Sequence, residues 1–129
     1  MELTNSAKYL IENKNLAHFV TLMKDGSPQV TPVWVDHDGT YVLINTAEGR
    51  QKPRNLARDS RVALSVADQG NQQKYVQIRG KVVEVTREGA WEHINKLARK
   101  YSGPEAKYPQ RDGEQRIIVK IMPEYISGR

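Results

Sequence analysis

Residues 16–35 carry the sequence LAHFVTLMKDGSPQVTPVWV, in which two β-type runs flank a short polar segment. The first run, Leu16–Met23, places apolar side chains on both faces of an extended chain, and the second run, Gln29–Val35, is also typical of a strand. The dipeptide Asp25-Gly26 lies between the runs and readily adopts the positive φ angles of a hairpin turn. This stretch therefore predicts an antiparallel β-hairpin.

Pro32 interrupts the second strand of this hairpin. A proline has no N–H to donate to a neighbouring strand, so its position predicts a sheet edge, a bulge, or a place where a group other than a strand approaches. Trp34 lies two residues further on and adds a large aromatic surface beside the interruption. Its ring either packs against a neighbouring strand or faces a ligand.

The rest of the chain continues the same pattern of short strands with peripheral helices. Further strands are predicted at Tyr41–Thr46, Val62–Ala67, Lys74–Thr86 and Gln115–Met122, the last ending at Pro123, with a turn at Asp36–Gly39 and an extended tail at Glu124–Arg129. Helices are predicted at Asn5–Lys14 (capped by Asn5 or Ser6), within residues 47–59, and at Glu88–Tyr101, where Trp91, Ile94, Ala98 and Tyr101 form an apolar stripe. Six or so strands at regular spacing predict a small, mostly antiparallel β-barrel.

Length and composition restrict the protein to one globular domain, residues 1–129. Its 38% hydrophobic and 27% charged residues are typical of a folded chain, and no apolar run approaches the ~20 residues of a membrane span. The sequence has no cysteine, which excludes disulfides, thiolate metal sites and cysteine nucleophiles. Since residues 1–13 lack the apolar core of a signal peptide, we expect a cytoplasmic protein with no membrane partner.

Several familiar catalytic motifs are absent from the sequence. It contains no GxGxxG, no P-loop, no GxSxG and no HExxH motif. The three histidines, His18, His37 and His93, do not have the spacing of metal ligands. Asp36-His37-Asp38 is interpreted as a solvated turn. No metal site and no catalytic side chain are therefore predicted.

Positive charge is concentrated in one segment. The formal net charge is +5, and the cations of residues 50–61 are opposed there only by Asp59; they are Arg50, Lys52, Arg54, Arg58 and Arg61. A strand end, a glycine turn and a helix start coincide in this segment, so helix N–H groups and side-chain cations would converge on an anion. The alternative is a solvated basic helix. Nucleic-acid binding is not expected, because the segment has no aromatic residue for base stacking.

Three runs of sequence, residues 25–35, 45–56 and 58–64, resemble the pyridoxamine-phosphate-oxidase-like family of flavin- and deazaflavin-binding proteins. Within this family, the chain is most similar to the short branch described as F420-dependent oxidoreductases. The resemblance implies a six- or seven-stranded antiparallel split β-barrel with peripheral helices, the FMN-binding split barrel. It also implies a homodimer with two cofactor sites at the interface between subunits.

The resemblance also implies which residues bind the cofactor. The ring system would contact Thr31, Pro32, Val33 and Trp34. The phosphate-bearing side chain would lie near Asn45, Thr46 and Ala47. The phosphate, or the carboxylates of a polyglutamate tail, would bind Arg50, Lys52 and Asn55.

The leading hypothesis is an oxidoreductase that uses reduced coenzyme F420 to transfer a hydride to a small conjugated or aromatic acceptor. No catalytic side chain is required, because the cofactor supplies the hydride and the protein supplies position and electrostatics. The alternative enzyme uses FMN, whose phosphate would bind the same cations. The five cations of residues 50–61 favour the longer and more anionic deazaflavin tail. A cofactor carrier without turnover is the non-enzymatic alternative.

Overall fold

Seven strands and three helices make up residues 1–128, the part of the chain that the computed structural model describes. The helices are α1 (Asn5–Glu12), α2 (Gln51–Arg58) and α3 (Ala90–Ser102). The strands are β1 (Ala17–Leu22), β2 (Pro28–Val33), β3 (Asp36–His37), β4 (Val42–Ala47), β5 (Arg61–Ala67), β6 (Tyr75–Thr86) and β7 (Arg116–Gly128). Not one of these helices combines the length and apolar composition needed to cross a membrane.

All the strands join one antiparallel sheet in the order β2-β1-β5-β6-β7-β4-β3. The sheet curls around α1, which contacts the edge strand β3 as well as the central strands β5 and β6. Its concave side holds the main core, to which β5 contributes the alternating buried residues Val62, Leu64 and Val66. The predicted mostly β, six- or seven-stranded antiparallel split barrel with peripheral helices is confirmed, and its sheet has seven strands in residues 1–128.

The predicted hairpin is confirmed as β1 and β2. At its turn the Met23 amide donates to the Ser27 carbonyl at 2.8 Å, and Gly26 adopts a φ of 85°. β2 is an edge strand with β1 as its one partner among the described strands. Pro32 is therefore tolerated, since one side of β2 needs no strand partner.

The last strand is longer than predicted. β7 does not end at Pro123 but continues to Gly128, pairing with β6 along both of its halves. Pro123 lies opposite Gly80, next to a register shift in the ladder. A proline is accepted there because the regular hydrogen-bond pattern is already interrupted. Arg129, the end of the predicted tail, lies outside the described residues.

The buried stripe of α3 also differs from the prediction. Ile94 and Ala98 are buried as expected, but the other buried residues are Ala90, His93 and Leu97. Trp91 and Tyr101 are only half-buried. The helix is therefore rotated relative to the predicted stripe, because it packs on Leu43 and Ile118 of the convex side of the sheet while its aromatic residues contact other rings.

Two local predictions are corrected near α1 and β3. The cap of α1 is Thr4, whose Oγ1 accepts from the Ala7 amide at 3.1 Å, rather than Asn5 or Ser6. Residues 36–37, predicted as part of a turn, pair with β4 as a short strand. This pairing leaves the outer side of Ile44–Ala47 without a strand partner among the described residues.

Candidate cofactor site

The predicted site residues lie on β2, on β4 and on α2. β2 carries Thr31–Val33, followed directly by Trp34, and β4 carries Asn45–Ala47. Both strands expose an unpaired side in residues 1–128. α2 contacts β4 and also β1, the strand paired with β2. The fold thus places these segments at the two open borders of one curled sheet, with the basic helix next to both borders.

Lys52 lies in the first turn of α2. Its side chain is half-buried, and no carboxylate or hydrogen-bond acceptor of residues 1–128 lies within bonding distance of its amine. Burial lowers the pKa of Lys52, and the nearby charge of Arg50 lowers it further. An anion bound here would counteract both causes of the lowered Lys52 pKa. The N–H groups at the start of α2 would also stabilise that anion.

The other cations of this segment already have partners within the protein. The Arg50 guanidinium is 3.1 Å from a carboxylate oxygen of Glu114, and the Arg61 guanidinium is 2.7 Å from Asp59. Arg54 donates to the Gly49 carbonyl at 2.9 Å, and Arg58 donates to the Asn55 side chain at 2.6 Å. Among the described residues, Lys52 is therefore the cation of this segment that lacks a bonding partner.

Asn55 is fully buried and lies beneath α2. Its Nδ2 donates to Thr21 Oγ1 at 2.9 Å, and its Oδ1 accepts from Gln51 at 2.8 Å and from Arg58 at 2.6 Å. These bonds attach α2 to β1 and leave the amide facing the interior. In this geometry Asn55 acts on the anion site by positioning the helix that carries Lys52.

The predicted ring-binding residues of β2 face both sides of the strand. Thr31 pairs with Phe19 in the β1–β2 register and therefore shares its concave face, whereas Pro32 is exposed. The Thr31 Oγ1 atom is buried without a hydrogen-bond partner in residues 1–128. Buried hydroxyl groups are normally bonded, so this oxygen is suited to a ligand that approaches the open side of β2.

Thr46 and Ala47 are buried on β4, and Asn45 is bonded to its neighbours. Asn45 Nδ2 donates to the Ala90 carbonyl at 2.9 Å and contacts His93 Nδ1 at 3.1 Å, while Asn45 Oδ1 accepts from Arg116 Nε at 2.9 Å. Asn45 therefore fixes α3 and the start of β7 against β4.

His93 continues this network to Asp36. Its Nε2 lies 3.0 Å from Asp36 Oδ2, which also accepts from Lys96 Nζ at 3.2 Å. Burial raises the pKa of Asp36, but the hydrogen bonds from His93, the His37 backbone and Lys96 outweigh it and hold that pKa well below its usual range. No group of three or more metal-ligating side chains is placed to hold a metal ion in residues 1–128.

Trp34 belongs to an aromatic cluster at the end of β2. Its ring stacks on Tyr101 with centroids 5.3 Å apart and an interplanar angle of 4°, and it meets Tyr108 edge-on at 6.4 Å. The Arg116 guanidinium lies 4.8 Å from the centroid of Tyr108. A cavity of about 550 Å³ opens beside Trp34 and Tyr101. Its other lining residues include His18, Gln69, Gln72 and Ser102.

Sequence reasoning missed two charged residues of this region, Glu114 and Arg116. Glu114 lies two residues before Arg116, the first residue of β7, and this spacing is a weak signal that their side chains point the same way in an extended chain. Their side chains are 8% and 3% exposed, and this burial of two opposite charges depends on the packing of β4 against β7.

A family model described as pyridoxamine 5′-phosphate oxidase matches residues 3–128. The chain belongs to this family. It is also similar to a solved structure of a protein named F420 reductase, with 30% sequence identity and a TM-score of 0.85 over 97% of this chain and 98% of that one. The family members and this relative support an oxidoreductase-type split barrel.

Two more distant structures share the fold of this pyridoxamine 5′-phosphate oxidase family member. A conserved hypothetical protein of Mycobacterium tuberculosis has 21% identity and a TM-score of 0.72 over 96% of this chain and 82% of that one. General stress protein 26 of Bacillus anthracis has 15% identity and a TM-score of 0.69 over 94% of this chain and 88% of that one. A comparison with curated proteins gave no match.

Proposed function

We propose that the protein is an oxidoreductase that uses reduced F420 to transfer a hydride to a small conjugated or aromatic acceptor. The observation that carries the proposal is Lys52, a half-buried cation without a protein partner in residues 1–128, at the start of a helix beside the open border of the barrel. F420 supplies the hydride when it is bound. The protein's own residues bind its anionic side chain, orient its ring and hold the acceptor beside it.

The distance between the anion site and Trp34 suits an elongated cofactor. Asn55 of α2 is bonded to Thr21, which pairs with Gln29 on β2. Trp34 follows Gln29 by five residues, which corresponds to about 17 Å of extended chain. A cofactor with its phosphate at Lys52 would therefore extend along β2 past the unpartnered Thr31 hydroxyl and bring its ring to Trp34.

The cavity beside Trp34 and Tyr101 is the proposed acceptor site. Its volume of about 550 Å³ is adequate for a small ring system, and no carboxylate lines it. Amide, imidazole and hydroxyl groups line part of its wall, and these can donate hydrogen bonds to the carbonyl oxygen of a conjugated acceptor. The aromatic wall provides a flat apolar surface for stacking.

FMN is the second candidate cofactor, and the match to the pyridoxamine 5′-phosphate oxidase model favours it. Its phosphate would bind the same Lys52 amine. The proposal includes a homodimer with the cofactor sites at the subunit interface, because the convex side of β1, β5 and β6 has no helix packed on it in residues 1–128.

The test is a titration of wild-type and Lys52→Ala protein with F420 and FMN, followed by fluorescence anisotropy. Charge-assisted hydrogen bonds contribute about 1.5–3 kcal/mol, so we expect K52A to weaken binding by about 10- to 100-fold. Riboflavin and the deazaflavin ribityl compound without phosphate should bind both proteins equally. Lys24→Ala, in the exposed β1–β2 turn, is the matched control. Unchanged binding of both anionic cofactors to K52A would sink the proposal.

Turnover is tested with the holoprotein. Oxidation of reduced F420 is followed by absorbance in the presence of a conjugated enone or a quinone. Acceptor-dependent oxidation supports the reductase. Tight F420 binding with no oxidation by either class of acceptor would instead indicate a cofactor carrier.

A further inference from the structure

Glu114 lies between two arginines at the border of the proposed anion site. One of its carboxylate oxygens is 3.1 Å from the Arg50 guanidinium, and the other is 3.7 Å from that of Arg116. The Glu114 side chain is only 8% exposed. Its Oε1 atom is buried and has no hydrogen-bond partner in residues 1–128. The protein therefore holds a negative charge beside a site that is otherwise positive.

The geometry leaves Arg50 available to a ligand while Glu114 stays in place. Arg50 is 47% exposed and donates to Glu114 through one terminal nitrogen, so its remaining N–H groups are free to meet an anion from solvent. Such an anion would lie within a few ångströms of the Glu114 carboxylate. Because that carboxylate is buried, solvent ions screen its repulsion poorly.

This repulsion depends on the charge of the ligand. A terminal phosphate monoester carries about −1.5 to −2 at pH 7, whereas a phosphodiester carries about −1. FMN ends in a monoester, and the phosphate of F420 is a diester. We propose that Glu114 is a specificity-determining residue that disfavours a phosphate monoester relative to a phosphodiester at the Arg50/Lys52 site. This inference rests on the proposed function and adds the basis of cofactor choice.

A purely structural role for Glu114 predicts the opposite change in affinity. If the carboxylate served only to hold Arg50 in its binding position, removing its charge would weaken the binding of every anion. If it repels the phosphate group bound at Arg50 and Lys52, removing the charge strengthens anion binding, most for the ligand whose phosphate group carries the higher charge. Glu114→Gln separates these roles, because the amide keeps the shape and still accepts a hydrogen bond from Arg50.

The experiment is a titration of wild-type and Glu114→Gln protein with FMN, F420, riboflavin and the phosphate-free deazaflavin. A unit charge several ångströms away in a partly solvated site changes affinity severalfold, so we expect E114Q to bind F420 about threefold and FMN about tenfold more tightly. The two neutral ligands should bind as before. Glu2→Gln, which removes a charge from the exposed N-terminal segment, should change none of the four affinities.

Glu114→Asp is the second variant, since it keeps the charge and should keep the wild-type preference. Thermal unfolding of both variants shows whether they fold. Weaker binding of both anions to E114Q, or an unchanged ratio of FMN to F420 affinity, overturns the inference. A failure of the proposed function would be seen in a different experiment, the Lys52→Ala titration, where wild type and K52A would bind the anionic cofactors equally.

Discussion

Asp36 shows how one residue links two elements of the fold, the edge strand β3 and the helix α3. Its Oδ2 accepts from His93 and Lys96 of α3, while its Oδ1 accepts from the backbone N–H of His37 at 2.8 Å. Burial alone would raise the pKa of this carboxyl, but the donors together lower it below the ordinary 3.8. A lowered pKa in the folded state means that the ionised form stabilises the protein.

The stability contributed by Asp36 should therefore disappear in acid. It is fully present above about pH 4 and is lost as the pH falls through the folded-state pKa, because the unfolded chain binds the proton first. We expect Asp36→Asn to lower the free energy of unfolding by about 2 kcal/mol at pH 7, with the difference from wild type shrinking below about pH 4. Urea unfolding between pH 3 and 7 measures this. Asp112→Asn, at an exposed loop position, is the control, and a difference independent of pH would contradict the assignment.

At the scale of elements, the β6–β7 pair depends on a close approach at Gly80. A Cβ atom at this position would collide with the Met122 carbonyl oxygen and lie 3.3 Å from Ile121 Cγ2. The register shift next to Gly80 brings the β7 backbone this near, and it is also where β7 accommodates Pro123. The glycine is therefore required by the neighbouring strand rather than by a turn.

Gly80→Ala is expected to destabilise the protein by about 3 kcal/mol, because backbone atoms of a central strand must move to admit the methyl group. Gly70→Ala is the matched control. The nearest atom to a Cβ there is Asp68 Oδ2 at 3.7 Å, an ordinary contact, so its effect should stay within about 0.5 kcal/mol. Chemical denaturation of both variants measures their free energies of unfolding. Equal values would contradict the prediction, because they would mean that the β6–β7 pair admits the methyl group at no cost.

At the scale of the whole molecule, the two sides of the sheet are covered unequally. α1 fills the concave side, and α3 covers the convex side of β4 and β7. The convex side of β1, β5 and β6 has no helix over it in residues 1–128, and it carries half-buried small or apolar residues such as Val20 and Ala63. This surface is the proposed contact between two copies of the chain.

We expect the wild-type protein to sediment as a dimer of about 29 kDa, twice the chain mass of 14.7 kDa. Ala63→Glu should yield a folded monomer, because the longer charged side chain is tolerated on a solvated face but has no room between two packed sheets. Ala57→Glu, on the exposed side of α2, should remain dimeric. Sedimentation velocity provides the masses. A monomeric wild type, or a dimeric A63E, would rule out this interface.

The amino-acid sequence by itself determined the elements whose signals are local. Two β-type runs and the Asp25-Gly26 turn were sufficient to predict the β1–β2 hairpin. A sheet edge, one of the three alternatives that the sequence left open at Pro32, is where the structure places β2. The charge concentrated in residues 50–61 indicated an anion site before any packing was known. These features are readable because periodicity, turn geometry and charge density depend on neighbouring residues in the chain.

The tertiary structure alone decided which of the predicted site residues already have partners within the protein. Arg50 meets Glu114, which lies 64 positions away in the chain, while Lys52 has no such partner in residues 1–128, and Asn55 is turned into the core. The buried face of α3 and the continuation of β7 past Pro123 likewise could not be predicted from local sequence patterns. Each depends on how the sheet curls and brings distant strands into register, and contacts between distant segments leave no periodic signal in the sequence.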